Sequence, residues 1–220
     1  MPADDDVLVR YIVVRKDVPL GLGEAMAAAG GAAVRCFDRL ATDERFGGAF
    51  AAWRPRPRKV ALRAGADEVV RVVAEEPCAV AGELLACLPP RRKSERSALL
   101  EGLRPYTDGP RGSGPPELLP DGVTAMRYLI REGVIKTTGK AMAQAGHAAL
   151  ACVWGHEATH PEAFAAWRRD GYRGEVDVVD EPREWARLRE SRDAVVVQDA
   201  GLTQVRPGTE TVIALVPGRV

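Results

Sequence analysis

The sequence predicts an α/β protein made of two tandem three-layer α/β/α domains, each with a mixed sheet of about four strands. The first observation behind this is an internal repeat. Arg15–Cys36 reads RKDVPLGLGEAMAAAGGAAVRC, Arg131–Cys152 reads REGVIKTTGKAMAQAGHAALAC, and Phe50–Arg54 and Phe164–Arg168 both read FAAWR. A spacing of about 116 residues is too long for a solenoid repeat and suits two domains of ordinary size. The second observation is that strand-like and helix-like segments alternate in both halves, the pattern of an α/β layer structure. The third is a Pro- and Gly-rich stretch, Tyr106–Gly122 (YTDGPRGSGPPELLPDG), which reads as a linker. The domains are therefore placed at 7–105 and 123–220, joined by 106–122.

Val7–Val14 is a β-branched apolar run, as expected of a buried strand. Gly21–Gly23 turn the chain, and Glu24–Phe37 is alanine-rich and helical. The second half repeats this, with a strand at Met126–Ile130 and a helix at Lys140–Trp154 for which Thr137 or Thr138 can serve as N-cap. FAAWR lies on a second helix in each half. In the second half its start reads as Thr159, with Glu162 completing a capping box and Pro161 in the first turn. Val60–Leu62 and Val176–Val179 read as short strands, and Ala66–Glu75 and Glu181–Glu190 as helices. Ala194–Val197 and Thr211–Val216 close the second sheet, with a turn at Pro207-Gly208 between them. Their expected counterparts in the first half are Leu84–Leu88 and Ser97–Leu103.

Apolar residues make up 46% and charged residues 28% of the chain, the balance of an ordinary globular protein. No apolar run approaches the ~20 residues of a membrane helix. The N-terminus, MPADDDVLVR, has neither a basic n-region nor an apolar h-region, so the expected location is the cytoplasm. Four cysteines form no CxxC pair. Cys36 and Cys152 share one repeat position on a helical pattern, where a free thiol acts as a small buried hydrophobe. The formal net charge is zero, which excludes a globally basic nucleic-acid binder. Two local clusters, Arg54/Arg56/Arg58/Lys59 and Arg91/Arg92/Lys93/Arg96, read either as patches or as solvated loops.

The two copies differ in polarity. Lys140, Gln144 and His147 stand where the first copy has Glu24, Ala28 and Gly31. Their i, i+4, i+7 spacing puts them on one helix face. Ala141, Ala145, Ala148 and Cys152 on the other side are small enough for close approach to a sheet. Such a stripe is either a site or a solvent-facing edge.

GKAMAQAGHAA resembles the GKxAAQxxHA motif of the type II peptidyl-tRNA hydrolase family, and QDAGLTQVRPGTETVIALVP resembles that family's DAGxTQ-x-x-PG-x-x-T segment. The resemblance spans roughly Met126 to Pro217. YIVVRKDV in the first copy is similar to the family's opening strand, but the motifs after it are lost. The resemblance implies hydrolysis of the ester joining a peptide to the 3′ ribose of tRNA, with peptidyl-tRNA as substrate and without metal or cofactor. It places the functional residues on Lys140, Gln144, His147, Asp199, Thr203 and Gln204, with the DAG turn beside the start of the Lys/Gln/His helix. His147, with an ordinary pKa of about 6.5, is the expected general base. Asp199 orients the base or the water, and Lys140 and Thr203 stabilise the oxyanion or hold the terminal ribose and phosphate. Gln144, Gln204 and Arg131 are expected to bind substrate. The family's homodimers imply an intrachain pseudo-dimer here, with Arg56, Arg58 or Arg92 of the eroded copy presented to substrate. Gly133 and Leu202 depart from the family pattern, and they favour the alternative of a repurposed, non-catalytic tRNA- or protein-binding member.

His156–His160 reads HEATH, which fits the HExxH zinc motif. Pro161 biases His160 away from helix, so the motif is expected in a loop and not at a metal.

Overall fold

The computed structural model describes residues 7–76, 78–109, 119–131, 133–201 and 205–220. The first half folds as β1 (Leu8–Arg15), α1 (Leu22–Leu40), α2 (Gly47–Trp53), β2 (Arg58–Ala64), α3 (Ala66–Glu75), β3 (Val80–Ala81), β4 (Leu85–Cys87), β5 (Arg91–Arg92), α4 (Ala98–Gly102) and β6 (Arg104–Pro105). The second folds as β7 (Thr124–Arg131), α5 (Thr138–His156), α6 (Pro161–Arg169), β8 (Arg173–Val179), α7 (Pro182–Arg189), β9 (Ala194–Gln198), β10 (Glu210–Leu215) and β11 (Gly218–Arg219).

The two sheets share one core order. In the first it runs β3-β4-β1-β2 and in the second β9-β10-β7-β8. In each, the opening strand pairs parallel with the strand after the helices and antiparallel with the later one. Short strands extend this core to six and five strands. Alternation along β1 and β7 fills both faces: Met126, Tyr128 and Ile130 pack towards α5, and Leu129 towards Trp185 of α7. Tyr11 and Val13 pack towards Val69 and Val72 of α3. The layering is α/β/α in both halves.

The correspondence reaches single bonds. Trp53 Nε1 donates to the Arg58 carbonyl and Trp167 Nε1 to the Arg173 carbonyl, each at 2.6 Å, tying each FAAWR helix to the following strand.

The halves meet along α1 and α5, whose alanines and glycines let the backbones come close. A Cβ on Gly30 would run into the Tyr128 hydroxyl, so no larger residue fits there. Met142 of α5 is buried among first-half residues, and Met26 and Trp53 among second-half residues. Arg168 forks onto both oxygens of Asp38, at 2.7 and 3.0 Å, at the edge of this contact.

Two expectations are corrected. Ser97–Leu103 is not a strand: Ser97 caps the short helix α4, and the first-half counterparts of β9 and β10 are β3 and β4. Thr159 is not the N-cap of α6. His160 holds that place with Pro161 at the first helical position, and no capping box forms because the Thr159 hydroxyl donates back to the His156 carbonyl. The first residues of the stretch 106–122 pack on the fold. Tyr106 is buried, its N–H donates to the Ala61 carbonyl, and the Asp108 carbonyl accepts the Thr138 N–H.

Candidate active site

Helix α5 begins with its first donors satisfied. Thr137 is extended, its hydroxyl accepts the Lys140 N–H at 3.4 Å, and the Asp108 carbonyl takes the Thr138 N–H at 3.0 Å. This fixes the phase of the stripe that follows. Lys140 and Gln144, one turn apart, converge on one atom of the turn after β9. Gln144 Nε2 donates to Asp199 Oδ2 at 2.6 Å, and Lys140 Nζ lies 3.1 Å from the same oxygen. The Lys140 and Asp199 side chains are each 9% exposed.

The turn is built to present that carboxylate. The Asp199 N–H donates to the Thr209 carbonyl and its own carbonyl accepts the Gly208 N–H, both at 2.8 Å. Asp199 Oδ1 accepts the Gly201 N–H at 2.8 Å. Gly201 has φ of +74°, and a Cβ there would collide with the Pro207 ring, so this position demands glycine on two counts. Gln144 Oε1 is buried with no hydrogen-bond partner, an unused acceptor beside the carboxylate.

His147, the third member of the stripe, turns to the other half of the molecule. Its Nδ1 is 3.0 Å from Nζ of Lys59, on β2, and its ring stands edge-on to Trp53 with centroids 6.1 Å apart. Burial, then the charges of Lys59 and Arg10, push the imidazole down to about 2. This environment opposes the protonation that a base titrating near the ordinary histidine value would need. The ring is neutral at physiological pH and accepts from an ammonium through Nδ1.

Arg131 is not brought to this cluster. Its guanidinium lies over the Trp185 ring, 5.6 Å from the centroid, beside α7. Thr203 and Gln204, with Leu202, lie outside the described residues. Arg56, Arg58 and Arg92 are exposed. Glu24, Ala28 and Gly31 line a cleft of about 640 Å³ between α1 and β8. In the HEATH segment, Glu157 pairs with Arg168 and His160 faces Asp193. No group of three histidine, cysteine or acidic side chains converges as metal ligands would, among the described residues.

Sequence reasoning missed Lys59. Its signal was strand alternation: Lys59, Ala61 and Arg63 share one face of β2, and Ala61 on that face is buried in the interface cluster with Met142.

The family described as Peptidyl-tRNA hydrolase PTH2 matches residues 124–220, the second half with its Lys140, Gln144 and Asp199. A peptidyl-tRNA hydrolase of Thermoplasma acidophilum is 36% identical over 100 residues, which cover 43% of this chain and 86% of that protein. The chain belongs to the peptidyl-tRNA hydrolase 2 family. A probable peptidyl-tRNA hydrolase 2 of Schizosaccharomyces pombe is 32% identical over 108 residues, 46% of this chain and 52% of its own length. The human mitochondrial peptidyl-tRNA hydrolase 2 is 31% identical over 105 residues, 44% of this chain and 57% of its own. The chain thus spans little more than half of these two longer members, and most of the archaeal one. No helix among the described residues is long and apolar enough to cross a membrane.

Proposed function

We infer that the second half hydrolyses the ester of peptidyl-tRNA, releasing free tRNA and the peptide carboxylate. The observation that carries this is the meeting of Lys140 and Gln144 on Asp199 Oδ2 at the start of α5. These are residues of both family motifs, brought together across 55 positions of sequence. Attack of water on the ester carbonyl needs an orienting acceptor and a positive partner for the developing oxyanion. Among the described residues Asp199 has three donors on its two oxygens, and a carboxylate offers roughly four acceptor positions. Gln144 Oε1 is the neighbouring acceptor. Lys140 and the positive end of α5 supply the cation. As the water oxygen bonds to the carbonyl carbon, one of its protons passes to Asp199 and the bond to the 3′ oxygen breaks. That oxygen leaves with the proton from Asp199, and the second water proton goes to solvent with the carboxylate left behind. Thr203 and Gln204 are assigned to substrate by the motif they share with Asp199. His147 acts here as a neutral, fixed ring and not as the base.

The same reading takes 7–105 as a degenerate copy of 123–220, the two forming an intrachain pseudo-dimer joined by 106–122. The shared strand order, the paired Trp53 and Trp167 bonds and the α1–α5 contact support it. The experiment is release of an N-blocked amino acid from its tRNA by wild type and by Asp199→Ala.

A further inference from the structure

We propose that Lys59, carried on β2 of the first half, is a positioning residue of the second half's site, holding His147 in one tautomer by donating to its Nδ1 at 3.0 Å. This rests on the reading of that site given above. With Nδ1 occupied as an acceptor, the ring's one proton sits on Nε2, and the imidazole presents a single fixed donor. His147 is one turn beyond Gln144 on α5, so the orientation of the ring bears on the face that carries Gln144 and Lys140.

The two-fold pattern of the chain singles out this residue. In the first sheet Arg10 pairs with Lys59, and in the second Met126 pairs with Gly174. Arg10 and Met126 are the same repeat position, so Gly174 is the counterpart of Lys59. Gly174 faces α1, where a Cβ would come within 3.0 Å of Ala27. The groove between α1 and β8 therefore has Glu24, Ala28 and Gly31 on one wall and glycine on the other. Where α5 packs on β2, Lys140, Gln144 and His147 stand on the helix side and Lys59 on the strand side. Facing the α5 stripe the chain keeps a lysine, whereas at the equivalent place facing α1 it has a glycine, although each pair of walls comes from different halves. A helper residue of the α5 site has to be kept on the first half even when that half has lost its own helical stripe.

A half-buried ammonium is costly to a fold, and its neighbours add to the cost. The groups facing Lys59 are His147 and Lys140 on α5, Asp199 on the turn after β9, and Arg10 on β1. Burial, with Arg10 and Lys140, pulls the ammonium down to about 8 against the opposing pull of Asp199. At neutral pH Lys59 is charged and donates. Above about pH 8 it loses the charge, and its bond to Nδ1 weakens from a charge-assisted to a neutral one.

The full chain carrying Lys59→Met or Lys59→Arg tests this through two readouts. The first is the pH profile of hydrolysis of an N-acylated aminoacyl-tRNA. Wild type is expected to lose activity with an apparent pKa near 8, Lys59→Met to lower kcat on the order of tenfold to a hundredfold and to lack that limb, and Lys59→Arg to restore most of kcat with the limb moved to higher pH. The second readout, ¹⁵N NMR of His147, needs no turnover. Wild type shows the Nε2–H tautomer, Lys59→Met a mixture, and Lys59→Arg the wild-type signal. Wild-type kcat and an unchanged alkaline limb in Lys59→Met overturn the proposal. So does an unchanged His147 tautomer in that variant, whether or not the chain turns over. If wild type does not hydrolyse the substrate but the tautomer responds, the esterase reading fails and the Lys59–His147 coupling stands.

Discussion

Gln144 and Asp199 meet at 2.6 Å through Nε2 and Oδ2, while the other end of the same amide, Oε1, is buried without a partner. One side chain thus anchors the carboxylate and leaves an acceptor next to it. Gln144→Leu removes both functions. We expect kcat to fall on the order of a hundredfold or more, as for loss of a positioned polar group, with stability changed by only about 1 kcal/mol because the unpaired acceptor goes too. Gln144→Glu sets a second carboxylate against Asp199 and should lower the urea midpoint, an effect that shrinks on acidification as the pair shares a proton. Steady-state kinetics and urea titration at two pH values check both.

The half-buried His147 makes stability depend on acid. In the folded chain its imidazole takes a proton only near pH 2, whereas in the unfolded chain it does so near the ordinary value of 6.5. Between these values the unfolded state binds more protons, so the contribution of this group is full above pH 6.5 and is lost as pH falls towards 2. His147→Gln keeps an acceptor for Lys59 and cannot titrate. Its urea midpoint should fall less than that of wild type between pH 7 and pH 4; parallel pH dependences would refute the burial of a neutral ring.

Tyr128 of the second half presses its hydroxyl on Gly30 of the first, and that hydroxyl is buried without a hydrogen-bond partner. Tyr128→Phe should raise stability by about 1 kcal/mol, since it removes an unsatisfied polar atom. Gly30→Ala should cost several kcal/mol, on the order of 3, from forced overpacking. The two should couple, with Gly30→Ala less harmful in the Tyr128→Phe background, because they share one contact. Thermal melts of the double-mutant cycle measure this. Independent effects would mean that α1 and the second sheet do not meet in solution as described.

Much of the fold was legible because apolar periodicity and the repeat agreed with each other. The strands β1, β7 and β10 and the helices α1 and α5 fall within a few residues of their expected limits. Ser97–Leu103 misled because a short apolar run has no decisive period, and its N-cap serine was the better signal. Alternation along β7 accounts for Arg131: it shares a face with Arg127 and Leu129, opposite Met126, Tyr128 and Ile130, and so falls to Trp185. The Lys140–Gln144–Asp199 meeting was legible from two motifs. The state of His147 was not, since its pKa depends on Lys59, Arg10 and Trp53, which a different half of the chain folds over it. Lys59 itself was hidden at the end of a run of arginines that reads equally as a basic patch or a solvated loop.

The most direct test is release of an N-blocked amino acid from its tRNA by the purified chain and by Asp199→Ala, both with a chelator present. We expect turnover by wild type that the chelator leaves unchanged, and a drop on the order of a hundredfold or more in the variant. A wild-type chain that binds the tRNA without releasing the amino acid, or an Asp199→Ala variant as fast as wild type, would contradict the assignment of a hydrolytic site to Lys140, Gln144 and Asp199.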